Sequence, residues 1–344
     1  MSNHFTSLAF ANAPPLVTGI IKSTADDFVV DEIAAFTPDN QGEHVVLHVE
    51  KKYSNTDWLA GQLARFADVP KKDVSYAGLK DRNALTRQWF SVRLAGKPEP
   101  LWASFSQENV RILQHTHHQR KIRRGALKGN RFKIVIRDLQ GSLDALDERL
   151  QHVRDKGVPN YFAEQRFGRN DANLEQAETM FSGNRIKDRN KRSMYLSASR
   201  SFLFNLILSE RVKQQNWDQA LLGDAMQLSG SNSFFCAEEI NEDIVERINN
   251  HDIHPTGVLL GKGELATKGE TKQLEESIID SYPCYKAGLI KMGLEQSRRA
   301  LRLMVDDLKW ELDPAEKILK LSFSLVSGAY ATSVLREIVT IRTP

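Results

Sequence analysis

The chain has 344 residues, 26% of them charged and 41% hydrophobic, enough for two ordinary domains that each bury a core, so a soluble globular protein is expected. Its net charge of +3 comes from 47 basic and 44 acidic side chains, a balance that does not by itself predict a nucleic-acid ligand. Cys236 and Cys284 lie outside any CxxC spacing, the N-terminus lacks a signal-peptide pattern, and the apolar stretch 202–208 is far too short to span a bilayer; the expectation is a cytoplasmic protein with no disulfide framework, no zinc ribbon and no membrane association.

Residues 18–49 read as short strands, 19–22, 28–33 and 44–49, broken by Pro38 and Gly42. Asn55 is placed to cap a helix running to about Asp68, with Trp58, Leu59, Leu63 and Phe66 at helical spacing and Pro70 stopping it. Residues 74–79 and 88–94 read as buried strands, and where the first ends come Lys80, Asp81 and Arg82. Successive strand residues alternate faces, so at most one of these three charges points into a given cleft. On charge patterning alone the cluster fits a solvated turn.

Residues 110–114 and 131–137 are strand-like, with a basic loop between them whose Gly125 and Gly129 allow tight backbone conformations. Asn130 and Phe132, two residues apart, fall on one strand face, and Ile134 and Ile136 share their parity, so Phe132 fits a core position as well as a ligand contact. Ser142 opens a helix that closes at Gly157, and a domain boundary is expected nearby. From about 160 to about 305 the pattern is mostly helical, with segments 171–181, 197–214, 238–250 and 294–305. The strand-like segments 308–312 and 318–325 follow, and a final helix starts near Gly328.

Charge is distributed unevenly. Between His115 and Lys133 there are seven Lys or Arg and no acid, including Arg120, Lys121, Arg123 and Arg124; between Arg185 and Arg200 there are six basic residues, including Arg189, Lys191 and Arg192, against Asp188 alone. Such islands suit phosphate contacts, since each neutralised phosphate releases a condensed counterion, and equally suit solvated basic faces. His115, His117 and His118 are dense, but the adjacent basic charge disfavours a cation site, so no metal is expected.

Ala77-Gly-Leu-Lys-Asp-Arg82 resembles the catalytic motif of the tRNA pseudouridine synthase D family, in which the aspartate is the nucleophile. Lys128-Gly-Asn-Arg-Phe-Lys133, Gly157-Val-Pro-Asn-Tyr-Phe-Ala-Glu-Gln-Arg-Phe-Gly168, Arg189-Asn-Lys-Arg-Ser193 and Gly328-Ala-Tyr-Ala-Thr-Ser-Val334 are similar to later segments of that family, in the same order. The resemblance therefore covers nearly the whole chain.

The resemblance implies an α+β fold. A mainly antiparallel pseudouridine-synthase-type sheet domain, residues 1–158 and 306–344, would carry an inserted, mostly helical TRUD domain, residues 159–305. It implies Asp81 as nucleophile with Lys22 as its basic partner, and Phe28, Asn130, Phe132 and Tyr330 as substrate-binding residues. Tyr330 stands where relatives commonly carry Phe, which keeps a ring but adds a hydroxyl needing a partner. Lys22 also fits an edge-strand lysine, and Phe28 a core phenylalanine. Arg166 and the run at Arg189–Arg192 fit phosphate contacts or solvated charges.

The implied activity is isomerisation of uridine to pseudouridine in tRNA, at position 13 if the chain follows the bacterial family, with tRNA as partner and no redox or group-transfer cofactor. Attack on the ribose carbon, addition to the pyrimidine and proton abstraction at the sugar would all use the Asp81 carboxylate. A base-excising hydrolase and a catalytically silent RNA chaperone are the readings from other classes; free uracil would mark the first, and indifference to Asp81 the second.

Overall fold

The computed structural model of the protein describes residues 4–342. Contacts divide the chain into two compact units, one made of residues 16–148, 305–331 and the chain from Val339 on, the other of the chain up to Pro15 with 149–304 and 332–338. The extreme ends of the 1–158 and 306–344 segments lie outside the described residues.

The first unit opens with β1 (Thr18–Ile21), β2 (Phe28–Ala34) and β3 (His44–Lys51), followed by α1 (Thr56–Phe66), β4 (Val74–Tyr76), β5 (Leu85–Arg93), β6 (Val110–His118) and β7 (Leu127–Gln140). Alternation explains how β3 is covered. Val45, Leu47 and Val49 share one parity and pack with Leu59, Ala60, Leu63 and Ala64 of α1, Phe90 and Val92 of β5 and Trp102, while Val46 faces the other side against Ala77 and Ile122. Asn55 precedes α1 without a side-chain cap bond, so the helix is held by this packing and not by the cap the sequence suggests.

α2 (Leu146–Lys156) is shorter than the helix expected from Ser142. The second unit continues with β8 (Val158–Pro159), α3 (Ala172–Phe181), the 25-residue α4 (Arg189–Lys213), β9 (Ala225–Leu228), β10 (Phe234–Cys236), α5 (Glu242–Asn249), β11 (Ile253–Leu259), α6 (Gly269–Asp280), α7 (Pro283–Lys291), β12 (Ser297–Ala300) and β13 (Arg302–Leu303). Strands run in the order β10-β9-β11-β12, and β13 pairs β8. The helix expected over 294–305 is thus replaced by strands. Leu301, Leu303 and Val305 are buried at alternate positions, a period of two that outweighs the wider spacing to Leu294. α4 starts eight residues before the expected Ser197, because the Asp188 carboxylate accepts the Asn190 and Lys191 N–H groups at 2.8 and 3.2 Å.

Back in the first unit, β14 (Asp306–Asp313) and β15 (Ile318–Val326) form a hairpin and β16 (Thr340–Arg342) pairs in parallel with β1, while α8 (Ala331–Ile338) between them belongs to the second unit. The ten-stranded sheet runs β14-β15-β7-β2-β5-β3-β6, with β1 on β7 and β4 on β5; β2–β5 and β1–β16 are parallel and the other pairs antiparallel. Gly129 is required where β7 meets β15, since a Cβ there would lie 2.2 Å from the Leu325 carbonyl oxygen. The whole is a mixed α and β fold built on a mainly antiparallel sheet.

Candidate active site

Register on β7 assembles the site. Ile136 pairs with Ile21 and Ile134 with Phe28, so the end of β1 and the start of β2 lie side by side. β2 also pairs in parallel with β5, Val29 opposite Leu85, and this brings the loop before β5, with Asp81, to the same end of β2. β1 stops at Ile21, and Lys22, expected as strand, takes a left-handed backbone with φ 58°, which costs a non-glycine residue roughly 1–2 kcal/mol. That turn aims its side chain at Asp81.

The three adjacent charges of the loop diverge. Asp81 pairs with the Lys22 ammonium, both side chains being about a third exposed at 36% and 27%. Lys80 runs inward to Glu32 Oε2 at 2.8 Å, a pair whose side chains keep only 6% and 1% of their exposure. Arg82 Nε donates to the Tyr53 carbonyl at 3.2 Å. Of the three, Asp81 alone presents its charged group beside the Lys22 ammonium.

Burial pushes the Asp81 carboxyl up, but the Lys22 hydrogen bond and charge, the Asn83 N–H donated to Oδ1 at 2.9 Å, and the Lys51 charge together hold it below the ordinary aspartate value. It is therefore ionised at neutral pH. The backbone of the loop is pinned as firmly. Thr56 Oγ1 accepts the Lys80 N–H at 3.0 Å and donates to Gln88 Oε1 at 2.9 Å, and Gln88 Nε2 donates to the Gly78 carbonyl at 3.2 Å.

The Lys22 ammonium stands 4.5 Å over the Phe28 ring, whose edge meets Phe132 at a centroid distance of 6.2 Å; Phe132 stacks on Phe323 of β15 at 5.4 Å. Phe28 and Phe132 are 5% and 7% exposed, so both are core residues whose rings form the floor of the site. Asn130 lies opposite Glu32 on β2 and Leu325 on β15, and its Oδ1 is buried without a hydrogen-bond partner among the described residues. Tyr330 follows the end of β15 and is half-buried. Lys22, Phe28, Asp81 and Phe132 are thus brought into one contact chain, with Asn130 two residues from Phe132 on the same strand.

The basic islands are structured within their own units. In the first, Ile122 is buried with its N–H donated to Ser91 Oγ at 3.0 Å, and the Gly125 N–H is donated to the Ala77 carbonyl at 2.7 Å, which ties the basic loop to the segment that leads to Asp81. Beside it a cleft of about 340 Å³ is lined by Lys71, Tyr76, Lys121, Arg123 and Arg124. Arg124 stands 5.6 Å over the Tyr76 ring, Lys121 donates to the Lys72 carbonyl, and Arg120 is exposed. His117 and His118 diverge to Glu99 and Asp39.

In the second unit, Arg189, Arg192 and Arg200 share one face of α4 and line a cleft of about 340 Å³ with Phe162 and Ser197. Arg166 donates to Ser197 Oγ at 2.9 Å beside it, whereas Lys191 is off this face. Arg200 was not singled out by the sequence, because its helix begins earlier than the pattern suggests. Glu32, Lys51, Thr56 and Gln88 were also missed. For Lys51 a signal exists: it continues the inward parity of Val45, Leu47 and Val49, a charge where an apolar residue is due.

The family profile described as tRNA pseudouridine synthase D matches residues 9–184 and 174–338. The chain is 48% identical to the tRNA pseudouridine synthase D of Nitrosococcus oceani over 96% of its length and 93% of that protein's. It is 46% identical to the one from Methylococcus capsulatus over 97% of its own length and 95% of the other's. The crystal structure of a protein described as a putative tRNA pseudouridine synthase D from Methanosarcina mazei superimposes with a TM-score of 0.69 at 20% identity, covering 96% of this chain and 95% of that one, a likeness of fold.

Proposed function

The chain belongs to the tRNA pseudouridine synthase D family, and on that premise we propose that it isomerises uridine to pseudouridine in tRNA, at position 13, with the Asp81 carboxylate as nucleophile. The observation that carries the assignment to Asp81 is its pairing with Lys22 at a surface-accessible end of β2, while Lys80 and Arg82 are both turned away. A depressed carboxyl is fully ionised at neutral pH, as a nucleophile must be.

The target uridine leaves its stack, at a cost of about a few kcal/mol, and is received beside the Phe28 and Phe132 floor. Asn130, two residues from Phe132 on β7, offers an amide with donor and acceptor groups to the uracil edge. Asp81 attacks the ribose anomeric carbon and the glycosidic bond breaks, its electrons passing to the uracil. The detached base turns, its C5 attacks the anomeric carbon and displaces the Asp81 carboxylate, and the proton on C5 is then lost while N1 takes one up from solvent. Lys22 holds the carboxylate in line throughout. Tyr330 supplies a further ring at the site, and the basic islands, with Arg120, Lys121, Arg123 and Arg124 in one unit and Arg166, Arg189, Lys191 and Arg192 in the other, meet tRNA phosphates.

Mapping pseudouridine in tRNA from cells lacking the protein tests the site specificity. Loss confined to position 13, restored by the wild-type gene, is expected; an unaltered position 13 would refute it.

A further inference from the structure

Lys51 has no exposed surface, although it is the last residue of β3 and belongs by parity to the face packed under α1. A lysine in that setting loses hydration that only strong acceptors replace. Its ammonium has two: the Ser54 carbonyl at 2.7 Å and the main-chain carbonyl of Asp81 at 3.1 Å. The catalytic aspartate is thus gripped from both sides, its carboxylate by Lys22 on the open side and its carbonyl by Lys51 from beneath. A neutral side chain of similar length would fill the space but leave both carbonyls unpaired.

We infer that Lys51 is a positioning residue for the isomerisation, a buried cation that fixes the main chain at Asp81 and adds positive charge beneath its carboxylate. The inference rests on Asp81 being the nucleophile.

The charged groups facing Lys51 are few. The catalytic loop presents Asp81, which favours the ammonium, and Lys80, which opposes it; β5 and β6 place the uncharged Thr86 and Val110 opposite it, and the neighbouring Lys52 is paired with Asp26 at 2.7 Å. Burial dominates and lowers the Lys51 ammonium to about 8, so the grip weakens in mildly alkaline solution.

The test is the single-turnover rate on a tRNA transcript between about pH 6 and 9.5, for the wild type, Lys51→Met and Asp81→Ala, with tRNA affinity and a thermal melt for each. The wild-type rate should fall above about pH 8, whereas Lys51→Met should bind tRNA as the wild type does, react about 10- to 100-fold slower, and show no such fall. A lysine that merely stabilises the fold would shift the melt and leave the shape of the pH profile alone. A Lys51→Met rate near that of the wild type, or an alkaline fall surviving in the variant, overturns the inference. Should the variant not fold, a wild-type rate that holds steady through the whole range overturns it as well. Activity remaining in Asp81→Ala overturns the nucleophile assignment instead, so the two failures are distinguishable.

Discussion

The Lys22 ammonium donates to Asp81 Oδ2 across 59 residues of chain, from a backbone turn that lysine rarely adopts. The pair opposes the effect of burial on the carboxyl, and the sign of its removal follows. Without the cation, burial raises the Asp81 carboxyl, so the acid limb of the rate profile moves to higher pH. Lys22→Met should show that displacement in single-turnover assays, together with a loss of roughly 10- to 100-fold at neutral pH from the lost charge-assisted bond. An acid limb coinciding with that of the wild type would show that Lys22 does not tune the carboxylate.

The Lys80–Glu32 pair is buried, and breaking it strands a charge. Lys80→Met alone should destabilise the protein by about 3–5 kcal/mol, while the double variant Lys80→Met/Glu32→Leu should recover most of that loss. Denaturant midpoints for the double-mutant cycle measure this; additive losses would mean that the two groups do not support one another.

Asn130 separates stability from function. Removing a buried acceptor that has no partner relieves a cost, so Asn130→Leu should leave the melting temperature unchanged or higher. Its kcat/KM on tRNA should nonetheless fall by about 100-fold or more if the side-chain amide reads the uracil edge. A variant that is destabilised yet fully active would reverse both expectations.

The clefts make a prediction about salt. Replacing Arg123 and Arg124, or Arg189 and Arg192, by glutamine should each time reduce the slope of log affinity against log salt by about one unit per lost phosphate contact. Filter binding across a salt series reads the slope directly, and an unchanged value would return those arginines to the role of solvated surface.

Much of this was legible in the sequence. The alternation of β3 and the spacing of α1 follow from ordinary patterning, whereas the strand expected over 74–79 stops at Tyr76 and the one expected from Gln88 starts at Leu85. The position of Asp81 came from the resemblance of its motif, since charge alone fits a solvated turn. The turn at Lys22 was not legible, because neither glycine nor asparagine marks the left-handed residue. The strands over Ser297–Leu303 were hidden because an apolar residue at Leu294 completes a helical spacing by accident. The role of Arg200 was hidden for the opposite reason: the start signal, Asp188, sits within a basic run that draws attention to its charges. The inward parity of Lys51 was visible, and it is the kind of local contradiction in which buried polar function is found.

The most direct measurement compares wild type and Asp81→Ala on the same unmodified tRNA transcript, following pseudouridine and free uracil together while measuring the affinity of each protein. The wild type should convert one uridine, position 13, to pseudouridine and release no uracil, and Asp81→Ala should bind with nearly the same affinity and form no product. Pseudouridine formed by Asp81→Ala, or uracil released by the wild type, would contradict nucleophilic isomerisation by Asp81.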